Sequence, residues 1–151
     1  MHAASSRRPL ALVITSGDPC GIGPEVILKT LAEQRPTSCR LIVIGDVSVF
    51  ERAAVQCRVP LPAWTVVRGS PGALDRKAPM IFFDRGHPGV FSLGRPTARA
   101  GEAAADYLDA ALALWKQGTI QGLVTAPVTK WVIARARGQF VGHTEYFARA
   151  L

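Results

Sequence analysis

The sequence LALVITSGDPCGIGPE at residues 10–25 decides the fold class. Its first six residues form a continuous apolar run, which is typical of a strand covered on both faces. The glycines that follow allow the backbone of a tight turn, and Pro24 suits the first position of a helix, where no backbone N–H is needed. The stretch therefore predicts a central β-strand, a glycine-rich turn and an α-helix that runs to about Gln34, before Pro36.

Strand and helix patterns alternate along the rest of the chain. Further strands are predicted at residues 41–45, 64–67, 80–83 and 123–126, and the first and last of these are predicted to be buried. Further helices are predicted at residues 47–56 with Asp46 as the cap, at 97–117, from Pro127 to a stop at Gly138, and from a capping Thr144 onward. Residues 85–96, rich in glycine and proline, are interpreted as an exposed excursion. This alternation predicts an α/β fold.

Composition indicates one ordinary folded domain. The chain has 151 residues, of which 48% are hydrophobic and 19% charged, and this excludes intrinsic disorder. No apolar run approaches the ~20 residues needed to cross a bilayer, and the N-terminus has no cleavage-site pattern, so a cytoplasmic protein without membrane contact is expected. The three cysteines have no metal-site spacing and are expected to be reduced and mostly buried.

The net charge of +7 raises the question of a nucleic-acid partner. The basic residues are scattered, and the nearest thing to a cluster is Lys130, Arg135 and Arg137. Zinc-finger spacing, heptads after a basic region and RNA-binding aromatic signatures are all missing from the sequence. We therefore expect no nucleic acid, and a small anionic ligand explains the cluster at least as well.

The first candidate site is the turn at residues 17–25. Glycines before a helix can bring backbone N–H groups close to an anion. The standard dinucleotide fingerprint fails, however, because Gly21 and Gly23 would require a third glycine at Val26. A purely structural turn between strand and helix is equally consistent with the sequence.

The second candidate site is Lys130, which follows the predicted strand at residues 123–126. Open α/β sheets usually bind ligands at the carboxyl ends of their strands. There, Lys130 could hold a phosphate or carboxylate, and Thr125 or Thr129 could donate a hydroxyl. The alternative is an ordinary solvated lysine in the first turn of a helix.

The third candidate site is the Gly-His-Thr-Glu sequence at residues 142–145. A histidine at a helix start, beside a threonine, can donate to an anionic or hydroxylated ligand, so His143 and Thr144 are candidate binding residues. The alternative is a structural histidine. His2 and His87 have no comparable sequence setting, and the three histidines form no metal-binding motif.

Together these segments resemble the 4-hydroxythreonine-4-phosphate dehydrogenase family of vitamin B6 (pyridoxal phosphate) biosynthesis. The matching stretches are residues 14–25, 124–130 and 140–147, in the same order as in the family. Residues 18–25 are also similar to the Gly-Asp-Gly-Ile-Gly-Pro-Glu segment of the isocitrate and isopropylmalate dehydrogenases, whose fold the family shares. The resemblance implies a truncated isocitrate/isopropylmalate dehydrogenase-like α/β/α fold, with residues 1–151 as its N-terminal part.

The resemblance also implies a reaction. Enzymes of this family oxidise a secondary alcohol of a phosphorylated hydroxy amino acid with NAD or NADP, after which carbon dioxide is lost, and a divalent metal (zinc, magnesium or cobalt) polarises the reacting oxygens. They act as homodimers. His143 and Thr144 correspond to the substrate-binding pair of the family's Gly-His-Thr-Glu motif, whereas Lys130 is a substrate-binding candidate from its place after a strand. No catalytic, cofactor-binding or metal-binding residue is assigned, since the family's metal-binding histidines and its further substrate-contacting lysine, asparagine and arginine belong to its C-terminal part. We therefore expect no turnover from these 151 residues alone.

One departure and several alternatives remain. Residues 134–138 read Ala-Arg-Ala-Arg-Gly, where the family usually has an Asn-Asp-Ala-Gly-like turn, and the arginines are expected to add positive charge beside a phosphate site. The substrate could instead be a phospho-sugar acid, threonate or an aromatic cis-dihydrodiol. A non-catalytic remnant that binds an anion or a partner chain is the alternative from another class. A standard Rossmann module is disfavoured by Val26.

Overall fold

A parallel β-sheet organises the chain, which the computed structural model describes at residues 10–34, 36–75, 77–87 and 89–151. In chain order the elements are β1 (Leu10–Thr15), α1 (Gly23–Glu33), β2 (Cys39–Gly45), α2 (Val47–Cys57), β3 (Thr65–Arg68), a 3-10 turn (Pro71–Ala73), β4 (Met80–Asp84), α3 (Ala98–Lys116), β5 (Gly122–Thr125), α4 (Lys130–Arg137) and α5 (His143–Ala150). The strand order is β3-β4-β2-β1-β5, and every neighbouring pair is parallel. Strand β1 therefore lies inside the sheet, as predicted.

Helices cover both faces of the sheet, which confirms the α/β class. On one face α1 and α2 pack Leu28 and Phe50 against Val43 and Phe82. On the other face lies α3, whose fully buried Tyr107 shares an apolar cluster with the strands. Helices α4 and α5 pack on the outer side of α3 through a third cluster. Because α3 has neighbours on both sides, almost all of its small residues are buried.

Strand β5 differs from its prediction. The sequence predicts a buried strand at residues 123–126, but within the described ranges β5 pairs with β1 alone and lies at an edge of the sheet. Val124 is 52% exposed as a result. The other strands lie within two residues of their predicted bounds. A short apolar run predicts a strand, but its neighbours in the sheet depend on the whole topology.

Helix α2 begins directly after Asp46, as predicted, but Asp46 does not cap it through its side chain. The carboxylate of Asp84 accepts a hydrogen bond from the Val47 amide at 3.1 Å. The Asp46 carboxylate binds Tyr107 and His87 instead. Asp46 thus occupies the predicted N-cap position, but its side chain makes no capping hydrogen bond because donors distant in sequence bind it.

Helix α4 starts later than predicted, and helix α5 starts earlier. Helix α4 begins at Lys130 rather than Pro127, because the Pro127 carbonyl accepts the amide of Asp18 and residues 126–129 run outside the helix. Helix α5 begins at His143, so Thr144 lies within its first turn and does not cap it. The stop of α4 at Gly138 is confirmed, with φ of 84°.

The excursion at residues 85–96 is only partly exposed. Phe91 is 5% exposed and belongs to the apolar cluster around α3, and its carbonyl accepts a hydrogen bond from Arg52 at 3.2 Å. Pro88 lies outside the described residues, as does His2. The apolar Phe91 side chain anchors this segment to the core, so the predicted exposure is wrong at that residue.

The cysteines and the helix lengths bear on two further expectations. All three thiols are free; Cys20 is buried, whereas Cys39 and Cys57 are half-buried, so the prediction of mostly buried thiols holds for Cys20 only. In the part of the chain that the structure describes, no helix combines the length and apolar character needed to span a membrane.

Candidate functional site

The loops that follow β1 and β5 lie in direct contact at the carboxyl edge of the sheet. We call them the β1 loop (residues 16–22) and the β5 loop (residues 126–129). Gly17 has φ of 71°, and a Cβ added there would lie 2.3 Å from the Pro127 carbonyl oxygen. The Asp18 amide donates to the same oxygen at 3.1 Å, and the Thr129 hydroxyl donates to the Asp18 carboxylate. The first two candidate segments are therefore brought together.

The β1 loop uses its amides inside the protein. The amides of Cys20 and Gly21 donate to the side chain and the carbonyl of Asp18, at 2.8 and 2.9 Å. A Cβ at Gly23 would lie 2.0 Å from the Ser16 carbonyl oxygen, so this glycine serves a close approach of two backbone segments. The geometry favours the structural turn over an anion cradle.

Lys130 and His143 are neighbours across the gap between α4 and α5. Each is the first residue of its helix. A Cβ added at Gly142, the residue before α5, would lie 3.7 Å from Lys130 Nζ and 2.9 Å from a carboxylate oxygen of Glu145. Lys130 and Thr144 are exposed, whereas His143 is half-buried. Two of the predicted site segments thus meet in the structure.

The imidazole of His143 has an unused polar atom. Its Nε2 is buried and has no hydrogen-bond partner among the described residues. Burial, and secondarily the charge of Lys130, lower the pKa of His143 below its ordinary value. The ring is therefore neutral at pH 7 and retains a nitrogen that can donate to or accept from a ligand.

A cleft of about 440 Å³ opens beside His143, between α3, β5 and α5. We call it the His143 cleft. Leu112, Leu123 and Phe147 contribute apolar walls, and Thr125, Thr144 and His143 contribute polar groups. An apolar cleft with a few polar groups is typical of small-molecule sites. Lys130 and Thr129 are not part of this lining: Lys130 lies beside Gly142, and the Thr129 hydroxyl is bound to Asp18.

A second group of polar side chains, which the sequence analysis missed, lies behind the ends of β2 and β4. We call Asp46, His87 and Tyr107 the Asp46 cluster. The Tyr107 hydroxyl donates to Asp46 at 2.5 Å, and the His87 backbone amide donates to the other carboxylate oxygen at 2.7 Å. His87 Nδ1 lies 3.1 Å from Asp46. His87, which has no motif like that around His143 in the sequence, is thus held by contacts with a distant aspartate.

The pKa values of all three residues in the Asp46 cluster are shifted. Burial alone would raise the pKa of Asp46, but hydrogen bonds from His87 and Tyr107 outweigh burial and lower it. The same hydrogen bond to Asp46 raises the pKa of His87, and burial followed by the Asp46 charge raises the pKa of Tyr107. Asp106 lies 3.6 Å from His87 Nε2 and also pairs with Arg85. The one available sequence signal is an aspartate directly after a buried strand.

The arginines that depart from the family pattern lie differently from the expectation. Arg137 forms ion pairs with Glu102 and Asp109, both on α3, so its charge is balanced there. Hydrogen bonding to Glu102 is the main reason that the pKa of Arg137 is raised. Arg135 is exposed. The expected addition of positive charge beside a phosphate site therefore does not hold for Arg137.

The described side chains do not fit a metal centre. Across residues 10–34, 36–75, 77–87 and 89–151, no three or more His, Cys, Asp or Glu side chains come together as a ligand set. In the β1 loop the amides of Asp18, Cys20 and Gly21 are bound within the protein, which does not favour a pyrophosphate cradle there. Lys130, His143 and Thr144 are the candidate ligand-binding residues that the structure brings to neighbouring positions.

The fold defines a class, the α/β proteins with a parallel sheet covered by helices on both faces. The family model described as Pyridoxal phosphate biosynthetic protein PdxA matches residues 37–151, and the chain belongs to this family. The resemblance noted in the sequence is confirmed.

Individual relatives agree with this assignment. The chain is 35% identical to the 4-hydroxythreonine-4-phosphate dehydrogenase of Beijerinckia indica, over 91% of this chain and 40% of the relative. It is also 35% identical to the D-threonate 4-phosphate dehydrogenase of Bordetella bronchiseptica, over 97% and 42%. The crystal structure of a 4-hydroxythreonine-4-phosphate dehydrogenase from Burkholderia phymatum is similar with a TM-score of 0.78 and 30% identity, over 95% of this chain and 44% of that one. The chain thus spans less than half the length of these relatives.

Proposed function

We propose that this chain supplies the substrate-binding part of a dehydrogenase that acts on a small phosphorylated hydroxy acid, with Lys130, His143 and Thr144 as the binding residues. The observation that carries the proposal is the unpartnered, buried Nε2 of His143 beside the Lys130 ammonium group. The names of the matched relatives, which are dehydrogenases of 4-phosphate compounds, support the substrate class.

Each of these residues has a distinct task in this proposal. The Lys130 ammonium group attracts the phosphate or carboxylate of the ligand. Neutral His143 forms a hydrogen bond through Nε2, and the Thr144 hydroxyl adds another. The apolar wall of the His143 cleft displaces water, and this strengthens the polar contacts.

The remaining parts of the proposal rest on family membership. Residues 1–151 would be the N-terminal part of an isocitrate/isopropylmalate dehydrogenase-like fold, in a cytoplasmic homodimer. NAD or NADP, when bound, accepts the hydride from the substrate alcohol. A divalent metal (zinc, magnesium or cobalt) belongs to the proposal through the family alone, because the described residues provide no ligand set for it.

A ligand titration tests the binding residues. The histidine ring signals of the chain are followed by NMR while D-threonate 4-phosphate, 4-hydroxythreonine 4-phosphate or unphosphorylated threonate is added. We expect the phosphorylated compounds to shift the His143 signals and Lys130→Ala to weaken their binding about tenfold, the effect of one charge-assisted contact. Lys77→Ala, which removes an exposed lysine from another part of the surface, is the matched control.

The same samples decide among the alternatives. Unperturbed His143 signals with all three compounds would rule out the proposed site. Equal response to phosphorylated and unphosphorylated threonate would move the proposal to an unphosphorylated substrate. Formation of reduced nicotinamide is measured in parallel, and we expect binding without turnover. A chain that binds inorganic phosphate as tightly as either substrate would instead favour the non-catalytic, anion-binding remnant.

A further inference from the structure

Helix α4 is tied to α3 near both of its ends. At one end a Cβ added to Gly101 would lie 2.1 Å from the Val132 carbonyl oxygen, so the two helix backbones are in direct contact. At the other end Arg137 Nη2 lies 2.7 Å from the Glu102 carboxylate, and Arg137 Nη1 pairs with Asp109. The position of Lys130, the first residue of α4, therefore depends on its attachment to α3.

Helix α5 is tied to α3 through the same aspartate. The Tyr146 hydroxyl donates to Asp109 Oδ1, whereas Arg137 binds Oδ2. Tyr146 lies three residues after His143, and residues at this spacing are neighbours on a helix surface. The Phe140 ring packs against both, with centroid distances of 5.7 Å to Tyr146 and 6.1 Å to His143. A displacement of Tyr146 is thereby transmitted to His143.

We propose that Asp109 is a positioning residue that holds Lys130 and His143 in a fixed relation by binding α4 and α5 at the same time. The inference deepens the proposed function and rests on its assignment of Lys130 and His143 to the ligand. Both carboxylate oxygens of Asp109 are engaged, one by Arg137 of α4 and one by Tyr146 of α5, so it acts through the two helices rather than by touching the ligand.

Two substitutions distinguish the contact between Tyr146 and Asp109 from the other ion pair of Arg137. Tyr146→Phe removes the hydroxyl that joins α5 to Asp109 and keeps the aromatic contacts with Phe140. Glu102→Gln weakens the other ion pair of Arg137 and does not alter the contact between Tyr146 and Asp109, so it is the matched control. Asp109→Asn weakens the contacts of residue 109 with both Tyr146 and Arg137 and keeps the size of the side chain.

The test uses the 151-residue chain with inorganic phosphate as the probe. The pKa of His143 is measured by NMR, the dissociation constant for phosphate by titration of the same signals, and folding by circular dichroism. In Tyr146→Phe and Asp109→Asn we expect the His143 pKa to rise toward that of a free histidine, since α5 can move away from Lys130 and admit water. Phosphate binding should weaken about fivefold, as for the loss of one hydrogen bond.

The outcomes distinguish this inference from the proposed function. An unchanged His143 pKa in folded Tyr146→Phe and Asp109→Asn would overturn the positioning role. An equal shift in Glu102→Gln would also overturn it, because the effect would then come from general loosening of α3 and α4. If the wild-type chain binds no phosphate but Tyr146→Phe still shifts the His143 pKa, the positioning stands and the proposed ligand class fails.

Discussion

Replacing Gly101 by alanine tests the backbone contact between α3 and α4. In a helix interior this change normally stabilises a protein by about 1 kcal/mol. Here the new Cβ would lie 2.1 Å from the Val132 carbonyl oxygen, and real Cβ contacts essentially never fall below 3.0 Å. Overpacking of this kind costs about 1–3 kcal/mol, and a backbone obstacle favours the upper end. We expect a net loss of about 2 kcal/mol in the free energy of unfolding.

Thermal and urea unfolding followed by circular dichroism measure this loss. For a chain of this size about 2 kcal/mol corresponds to a decrease in Tm of roughly 4–8 °C. Gly72→Ala is the control, because Gly72 has no positive φ and the nearest atom to its added Cβ is 3.8 Å away. That variant should remain within about 0.5 kcal/mol of the wild type. A Gly101→Ala variant as stable as the wild type would refute direct backbone contact between the helices.

Three further predictions concern buried groups. Tyr107→Phe removes a donor from buried Asp46 and should lower the free energy of unfolding by about 1–3 kcal/mol, as measured by urea titration; an unchanged midpoint would contradict the described hydrogen bond. Because the pKa of His87 is raised in the folded state, the contribution of protonated His87 to stability should be complete below its ordinary pKa of 6.5 and should disappear as the pH rises through the folded-state pKa. His87→Asn should remove this pH-dependent change from the free energy of unfolding. A change of the same size in His87→Asn would contradict the assignment to His87. Gly17→Ala combines a positive φ with a Cβ 2.3 Å from the Pro127 oxygen and should cost about 3 kcal/mol in the same assay, a loss that a well-folded, wild-type-like variant would disprove.

Elements with local signals are predictable from the sequence. The apolar run before the β1 loop predicts β1 with the bounds observed, Leu10–Thr15, because a buried parallel strand needs apolar side chains on both faces. The long helix α3 is predicted within one residue at each end, and Thr97 caps it by accepting from the Ala100 amide at 3.2 Å. These features depend on residues a few positions apart.

Features set by long-range contacts are not predictable in this way. The sequence favours Asp46 as the cap of α2, but its carboxylate binds His87 and Tyr107, which are 41 and 61 residues away in sequence. It also favours Pro127 as the start of α4, but the Pro127 carbonyl is engaged by Asp18 from another loop. Such long-range contacts outweigh the local preferences for a helix cap at Asp46 and a helix start at Pro127. A single sequence does not show which distant groups form these contacts.

The candidate site shows the same division. The motif around His143 indicates a candidate ligand residue, and the structure adds the unpartnered Nε2 that gives this residue a free hydrogen-bonding atom. The neighbouring position of Lys130 requires the fold. The sequence predicts that Arg137 adds positive charge beside a phosphate site, but in the structure Asp109 and Glu102 balance the charge of Arg137. Asp109 and Glu102 lie on α3, 28 and 35 residues before Arg137, so the sequence around Arg137 does not indicate these ion pairs.

The contact between the β1 and β5 loops bears on how new ligand preferences can evolve. Gly17 against Pro127, and Asp18 bound to Thr129, fill the crevice where open α/β sheets often admit a ligand. Under the proposed function, maintenance of the sheet edge and recognition at the His143 cleft belong to different segments of the chain. Substitutions in α5 would then change recognition without disturbing the contact between the two loops.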